Sequence, residues 1–264
     1  MYGFTYHQPR TLDEATKLLA DGEARSLAGG QTLIPVLKMR LSNPGLLVDL
    51  KGIAGLDTIE KKGTALSIGA LARHAVVAAS PVVRESILAL AALAGSIGDV
   101  QVRNRGTIGG SVANSDPAAD YPAAVLGLGA TIVTTQREIP ADSFFTGMFE
   151  TALKPGEIVV SVVFPIPRRA AYIKYPSPAS HYAMVGVFVA ETAKGIRVAI
   201  TGASSHVFRW SAAEAALGKS FVAASIGDIK MPADDLLSDV HGDAAYRASL
   251  VATMTKRAVS AAAT

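Results

Sequence analysis

Apolar positions along this chain switch repeatedly between helical and strand spacing. Helical intervals predict a helix over 12–21, opened by the capping box Thr11-Leu12-Asp13-Glu14 and closed by Gly22. Residues 24–28 read as a short buried strand halted by Gly29-Gly30. Residues 31–39 then read as a helix in which Pro35 must lie in the first turn, and 46–50 as a returning strand. Strand, glycine turn, helix and strand in that order predict a small α/β layer.

The pattern continues with a strand over 64–69 and helices over 71–79 and 81–94. An irregular stretch, 95–105, leads into the glycine turn Gly106-Thr107-Ile108-Gly109-Gly110. Asp116-Pro117 predicts a helix start, with Asp116 as N-cap, Pro117 at the first position and the end at Gly127 and Gly129; strands follow over 130–135 and 157–164. Pro165, Pro167, Pro176 and Pro178 flank Arg168-Arg169, a composition suited to a crossing between domains, which places a boundary near residue 167. Beyond it, 182–191 and 196–202 flank Lys194-Gly195 as an antiparallel hairpin. A helix over 211–217 ends at Gly218, and 244–262 forms a closing helix.

Composition narrows the function classes. The 264 residues correspond to about two domains of roughly 150 residues each. Half of them are hydrophobic and 18% charged, enough apolar side chain for a large core. The longest uncharged run in the first half, 86–98, is thirteen residues, short of the roughly 20 needed to span a bilayer. The N-terminus shows no secretory signal, so a cytoplasmic location is expected. With no cysteine, the chain can hold neither disulfides nor thiolate metal sites nor cysteine-ligated iron–sulfur clusters. A net charge of +3 from scattered basic residues gives little support to a nucleic-acid partner.

The candidate chemistry sits in two glycine segments, Ala28-Gly29-Gly30-Gln31-Thr32 and Thr107-Ile108-Gly109-Gly110-Ser111. Glycine lets backbone amides converge on an anion, and a following helix adds its positive end, so the pair could hold one pyrophosphate from both sides. Each alone also reads as an ordinary tight turn. Neither matches the dinucleotide or phosphate-loop fingerprints, no zinc-protease or serine-hydrolase motif occurs, and the five histidines show no metal-ligand spacing, so no metal site is expected. Asp116 reads as a cap. Asp120, past the cap, could accept from a ribose hydroxyl or an adenine amine, or simply be solvated. Arg103 and Arg105 could offset phosphate or meet an acidic partner; Lys174 and Tyr182 could offer a cation and a flat ring at a domain cleft.

Taken in order and spacing, Ala28-Gly29-Gly30-Gln31-Thr32-Leu33-Ile34-Pro35, Val102-Arg103-Asn104-Arg105-Gly106-Thr107-Ile108-Gly109-Gly110-Ser111 and Asp116-Pro117-Ala118-Ala119-Asp120 resemble the FAD-binding medium subunit of the molybdenum hydroxylases, the xanthine dehydrogenase and aerobic carbon monoxide dehydrogenase family. Weaker matches run through Gly156-Glu157-Ile158-Val159, Lys174, Tyr182-Ala183, Glu214-Ala215-Ala216-Leu217-Gly218 and Tyr246-Arg247. The resemblance implies an α+β chain: a PCMH-type FAD-binding domain, 1–167, of two α/β subdomains (about 1–55 and 56–167), then a C-terminal domain, 168–264, of a small antiparallel sheet plus helices.

It further implies that Leu27, Ala28, Gly29, Gly30, Gln31, Thr32, Leu33 and Ile34, with Thr107, Ile108, Gly109, Gly110 and Ser111, bind the FAD pyrophosphate and ribityl chain through backbone amides. Asp120 would contact the adenosine part, Val159 would give a backbone contact, Lys174 would lie near the isoalloxazine and Tyr182 would stack near the ring. The chain departs from the family in Thr32, often Ser, in Ser111, often Asn, and in 175–181, which lacks two arginines and an aspartate. The implied partners are an iron–sulfur small subunit and a molybdopterin large subunit, with electrons leaving the flavin for an external acceptor. No side chain of this oxidoreductase subunit is then needed as acid, base or nucleophile. A self-sufficient FAD oxidoreductase and a non-redox nucleotide-binding scaffold are the alternative readings.

Overall fold

The computed structural model describes residues 1–20, 22–227 and 229–263. Three parallel strands, ordered Thr5–His7, Leu46–Asp49 and Ala24–Leu27, form the first sheet. Thr11 caps helix Leu12–Leu19 by accepting from the Glu14 N–H at 3.2 Å. The Glu14 carboxylate reaches back to the Arg10 N–H at 3.0 Å, one residue short of the expected capping-box partner. The predicted end of this helix, residue 21, lies outside the described residues. Helix Leu33–Lys38 carries Pro35 in its first turn, as required.

The second sheet is antiparallel, ordered Ile59–Lys62, Ala65–Gly69, Val159–Pro165, Thr131–Thr134 and Glu138–Pro140. It packs on a large core that includes Leu66, Ile68, Leu90, Leu93, Tyr121 and Phe144, all fully buried. Several expectations are corrected here. The helix expected over 81–94 breaks at Ile87, extended at φ −146°, into Pro81–Ser86 and Leu88–Gly95, because the second piece is apolar on every side and turns into the core. The stretch expected to be irregular, 95–105, contains helix Val100–Arg105, whose N-cap Asp99 accepts from the Val102 N–H at 2.7 Å. The second glycine turn is the start of helix Ile108–Asn114, capped by the Thr107 hydroxyl. Asp116 accepts from the Ala118 N–H in a local turn, and helix Tyr121–Gly127 begins four residues later than expected, with Asp120 at its N-cap position.

The third sheet is antiparallel, ordered Arg169–Pro176, Ala183–Thr192, Gly195–Thr201 and Phe208–Arg209. The hairpin matches expectation. The proline-flanked crossing does not: its middle is an edge strand, which tolerates Pro176 at its end. Gly218 lies inside helix Ser211–Lys219, so it is no cap. Strand Ala183–Thr192 is buried on both faces. Phe188 and Ala190 join the large core, while Val185, Val187 and Val189 face a second core with Val251, Met254 and Val259 of the closing helix Ala244–Ala263. Helix Tyr121–Gly127 packs closely on this strand: a Cβ on Gly127 would come within 2.9 Å of the Phe188 ring.

Candidate cofactor site

Strand Ala24–Leu27 ends in the first glycine segment, where Gly30 takes the left-handed φ of +77° that a side chain would resist. Gly29 lets the backbone of this loop touch that of the second segment, since a Cβ there would fall 2.3 Å from the Arg105 carbonyl oxygen. The two segments are thus in direct contact, 76 residues apart in sequence (Gly29 to Arg105).

Their backbone amides are used differently. The N–H groups of Gly29, Gly30, Gln31, Thr32 and Leu33 donate to no acceptor among the described residues. In the second segment the Ile108 N–H donates to Ala72 at 3.1 Å, Gly109 to Ala70 at 2.9 Å, Gly110 to the Thr107 hydroxyl at 3.2 Å and Ser111 to the Thr107 carbonyl at 3.0 Å. The first loop therefore offers a run of unpaired donors on residues that line a cavity, whereas the second offers close approach and two hydroxyls. Gly109 is small because helix Ile108–Asn114 presses on Ala70, whose Cβ would lie 2.4 Å from a Cβ at that position.

Between the segments opens a cavity of about 520 Å³. Ala28, Gly29, Gly30, Gln31, Thr32, Leu33, Thr107, Gly110, Ser111, Asp120 and Tyr182 line it. Leu27, Ile108 and Gly109 are buried behind that lining, and Ile34 is the second residue of its helix, beside Gly30. Val159 is buried in the large core at a bulge of its strand, away from the cavity wall. Lys174 stands behind Asp120: its ammonium lies 3.1 Å from Oδ1 and donates to the carbonyls of Ser96 at 3.0 Å and His181 at 2.9 Å.

Asp120 is itself buried, and the Tyr172 hydroxyl donates to its Oδ1 at 2.5 Å. Burial pushes its carboxyl up, against the pull of the Lys174 ammonium and the two hydrogen bonds. Burial and the neighbouring carboxylate push the Tyr172 phenol well up, so the proton stays on the tyrosine. At the cavity rim, Tyr182 is half-exposed, with its phenol raised by burial and then by the charges of Asp116 and Asp120. Arg103 donates to the carbonyls of Ile97 at 3.0 Å and Gly98 at 2.9 Å and so shapes the wall, while Arg105 faces a separate cleft with Lys51 and Arg73.

Two lining elements, and one residue behind the lining, escape a reading of the sequence. His74 falls in a stretch with a plain helical pattern, and nothing local marks it. Ile97 and Gly98 lie in the supposedly irregular stretch. Tyr172 carried a signal in its i, i+2 spacing from Lys174, which puts both on one face of a strand, but the prolines around it suggested a crossing.

A family model described as the FAD binding domain in molybdopterin dehydrogenase matches residues 2–167. The 6-hydroxypseudooxynicotine dehydrogenase complex subunit alpha of Paenarthrobacter nicotinovorans is 35% identical over 98% of this chain and 94% of its own. The carbon monoxide dehydrogenase medium chain of Hydrogenophaga pseudoflava is 33% identical over 98% and 96%. Among solved structures, carbon monoxide dehydrogenase from Hydrogenophaga pseudoflava superposes with a TM-score of 0.89 at 35% identity, covering 99% of this chain and 97% of that one. Quinoline 2-oxidoreductase from Pseudomonas putida 86 does so with 0.90 at 31% identity, covering 99% and 97%. The free amides, the glycine contacts and these likenesses agree: the chain belongs to the family of FAD-binding subunits of the molybdenum hydroxylases.

Proposed function

We propose that this chain is the FAD-binding medium subunit of a multi-subunit molybdenum hydroxylase, taking electrons from iron–sulfur clusters on a small partner subunit, fed by a molybdopterin large subunit, and passing them to an external acceptor. The observation that carries the reading is the run of five unsatisfied amides, Gly29 to Leu33, opening onto a cavity closed on its far side by Thr107, Gly110 and Ser111. Converging amides with no protein acceptor are what a diphosphate requires. The absence of cysteine fits a division of labour in which clusters sit on another chain. The relatives named above as a complex subunit and a medium chain support an assembly with partners.

Bound FAD supplies the redox chemistry, and the chain supplies binding, orientation and electrostatics. In this reading the Gly29–Leu33 amides hold the diphosphate and Leu27 to Ile34 and Thr107 to Ser111 follow the pyrophosphate and ribityl chain, while Val159, away from the cavity wall, is given no cofactor contact. Asp120 holds the adenosine part, fixed in place by Lys174, whose ammonium is spent on Asp120 and on the Ser96 and His181 carbonyls and so does not reach the isoalloxazine. Tyr182 covers the ring at the rim. We divide the chain into an FAD domain, 1–167, with subdomains about 1–55 and 56–167, and a C-terminal domain, 168–264; the extent of the family match supports that division. We place the complex in the cytoplasm. Among the described residues no helix is long and apolar enough to cross a membrane.

Titration of the deflavinated full chain with FAD tests the reading. Saturation at one FAD per chain, with ADP competing for the amide cradle, is expected. Failure to bind in the chain and in its purified complex alike would overturn it. Flavin reduction by a small organic donor in the isolated chain would favour the self-sufficient oxidoreductase instead.

A further inference from the structure

One buried titratable residue in the cavity wall has no part in the proposed function. His74 opens helix His74–Ala79, is 5% exposed and lines the cavity. Its N–H donates to the Gly106 carbonyl at 3.0 Å, and its ring lies over Gly106 so closely that a Cβ there would fall 2.5 Å from Nε2. Gly106 is itself a lining residue, so Nε2 is the nitrogen at the cavity wall.

The other nitrogen, Nδ1, is fully enclosed and has no partner among the described residues. The Tyr121 ring lies 5.3 Å from the His74 ring, and the Tyr121 hydroxyl is likewise enclosed and unpartnered. Two orphaned polar atoms on touching rings are costly apart and complementary together, since a phenol donates and an unprotonated imidazole nitrogen accepts. A Tyr121 O–H donated to Nδ1 would leave the single proton of the neutral imidazole on Nε2, facing the cavity. Burial first, then the Arg103 guanidinium, hold the ring neutral by lowering its pKa to about 4.

We propose that His74 is a positioning residue for the bound dinucleotide, its Nε2–H donating to an oxygen of the ribityl–diphosphate chain where that chain passes Gly106 and Thr107. The second glycine segment spends its own amides internally, so this imidazole supplies the donor that the segment lacks. The proposal rests on the FAD reading above.

The test compares wild type, His74→Phe, His74→Gln and Tyr121→Phe as full chains, deflavinated, with FAD affinity and the melting temperature of the FAD-free chain both measured. His74→Phe is expected to weaken FAD binding roughly tenfold, more than any fall in the melting temperature of the FAD-free chain accounts for. His74→Gln, whose amide nitrogen stands in for Nε2, should recover most of the affinity. Tyr121→Phe, which frees the tautomer, should lose roughly two- to threefold. A lower melting temperature with unchanged affinity in His74→Phe would show a packing role only and overturn the proposal. Wild type labelled with nitrogen-15 histidine needs no folded variant: an Nε2–H tautomer whose signal moves on FAD addition is expected, and the opposite tautomer or an unmoved signal would overturn it. A wild-type chain that takes up no FAD overturns the FAD reading as well, whereas equal binding by wild type and His74→Phe overturns this proposal alone.

Discussion

The Lys174 ammonium lies 3.1 and 3.2 Å from the two carboxylate oxygens of Asp120, joining the third sheet to the start of a helix 54 residues earlier. Both side chains are nearly buried, so each neutralises a charge that would otherwise be stranded. The same ammonium also donates to the Ser96 and His181 carbonyls, and His181 holds a left-handed φ of +61°. Asp120 is therefore held at the cavity wall in a fixed, charge-balanced position.

Removing one partner should cost more than removing both. Lys174→Met leaves a buried carboxylate and is expected to lower stability by about 3–5 kcal/mol. Asp120→Asn combined with Lys174→Met should cost less than the sum of the single changes, and denaturant unfolding of the four chains measures the difference. Additive costs would contradict a coupled pair. Asp120→Ala should also weaken FAD binding by about 1–3 kcal/mol, read by titration.

Neighbouring glycines should fail in different ways. A side chain at Gly109 meets Ala70 backbone and Cβ at 2.4 to 2.8 Å, so Gly109→Val should prevent normal folding. At Gly110 the nearest atoms are the Thr107 hydroxyl at 2.9 Å and the Ala28 Cβ at 3.7 Å, across the cavity. Gly110→Val should weaken the helix cap by about 0.5–2 kcal/mol and abolish flavin retention while the far-ultraviolet dichroism stays native. A folded Gly110→Val chain that keeps stoichiometric FAD would contradict the cradle.

The meeting of the two glycine segments was legible because glycine pairs followed by hydroxyl residues announce a backbone role, and the hairpin because Lys194-Gly195 parts two long apolar runs. What stayed hidden depended on distant partners. The helix at Val100–Arg105 is six residues long and gets its place from Asp99 and from packing on helix His74–Ala79, which no local pattern records. Strand Arg169–Pro176 was masked by its prolines, which an edge position accommodates. Asp120 looked like a free carboxylate until the strand bearing Tyr172 and Lys174 was placed behind it.

Acid should weaken the fold through His74. Its pKa falls from 6.5 to about 4 on folding, so between those values the unfolded chain binds a proton that the folded chain refuses. The stability from the neutral ring is complete above about pH 6.5 and is lost as pH falls toward 4, by on the order of 3 kcal/mol. Urea unfolding of wild type and His74→Gln across that range should show a smaller acid loss in the variant; parallel curves would contradict the assignment.

Glu157 anchors the sheet beside Val159. Its side chain is fully enclosed and accepts from Thr134 at 2.7 Å, the Lys154 N–H at 2.8 Å and Arg137 at 3.0 and 3.2 Å. Burial opposes its charge, but these donors hold its pKa at about 2. Glu157→Ala should therefore destabilise the fold by removing the acceptor of the Thr134 hydroxyl and the Lys154 N–H, with FAD affinity per folded molecule little changed. Thermal melts and FAD titration separate the two effects.

The visible absorption spectrum of the purified full chain, with the chromophore identified after release by denaturation, tests the central claim most directly. A flavin spectrum with one FAD released per chain is expected. No flavin in the chain or in its co-purified complex, even after incubation with excess FAD, would contradict it.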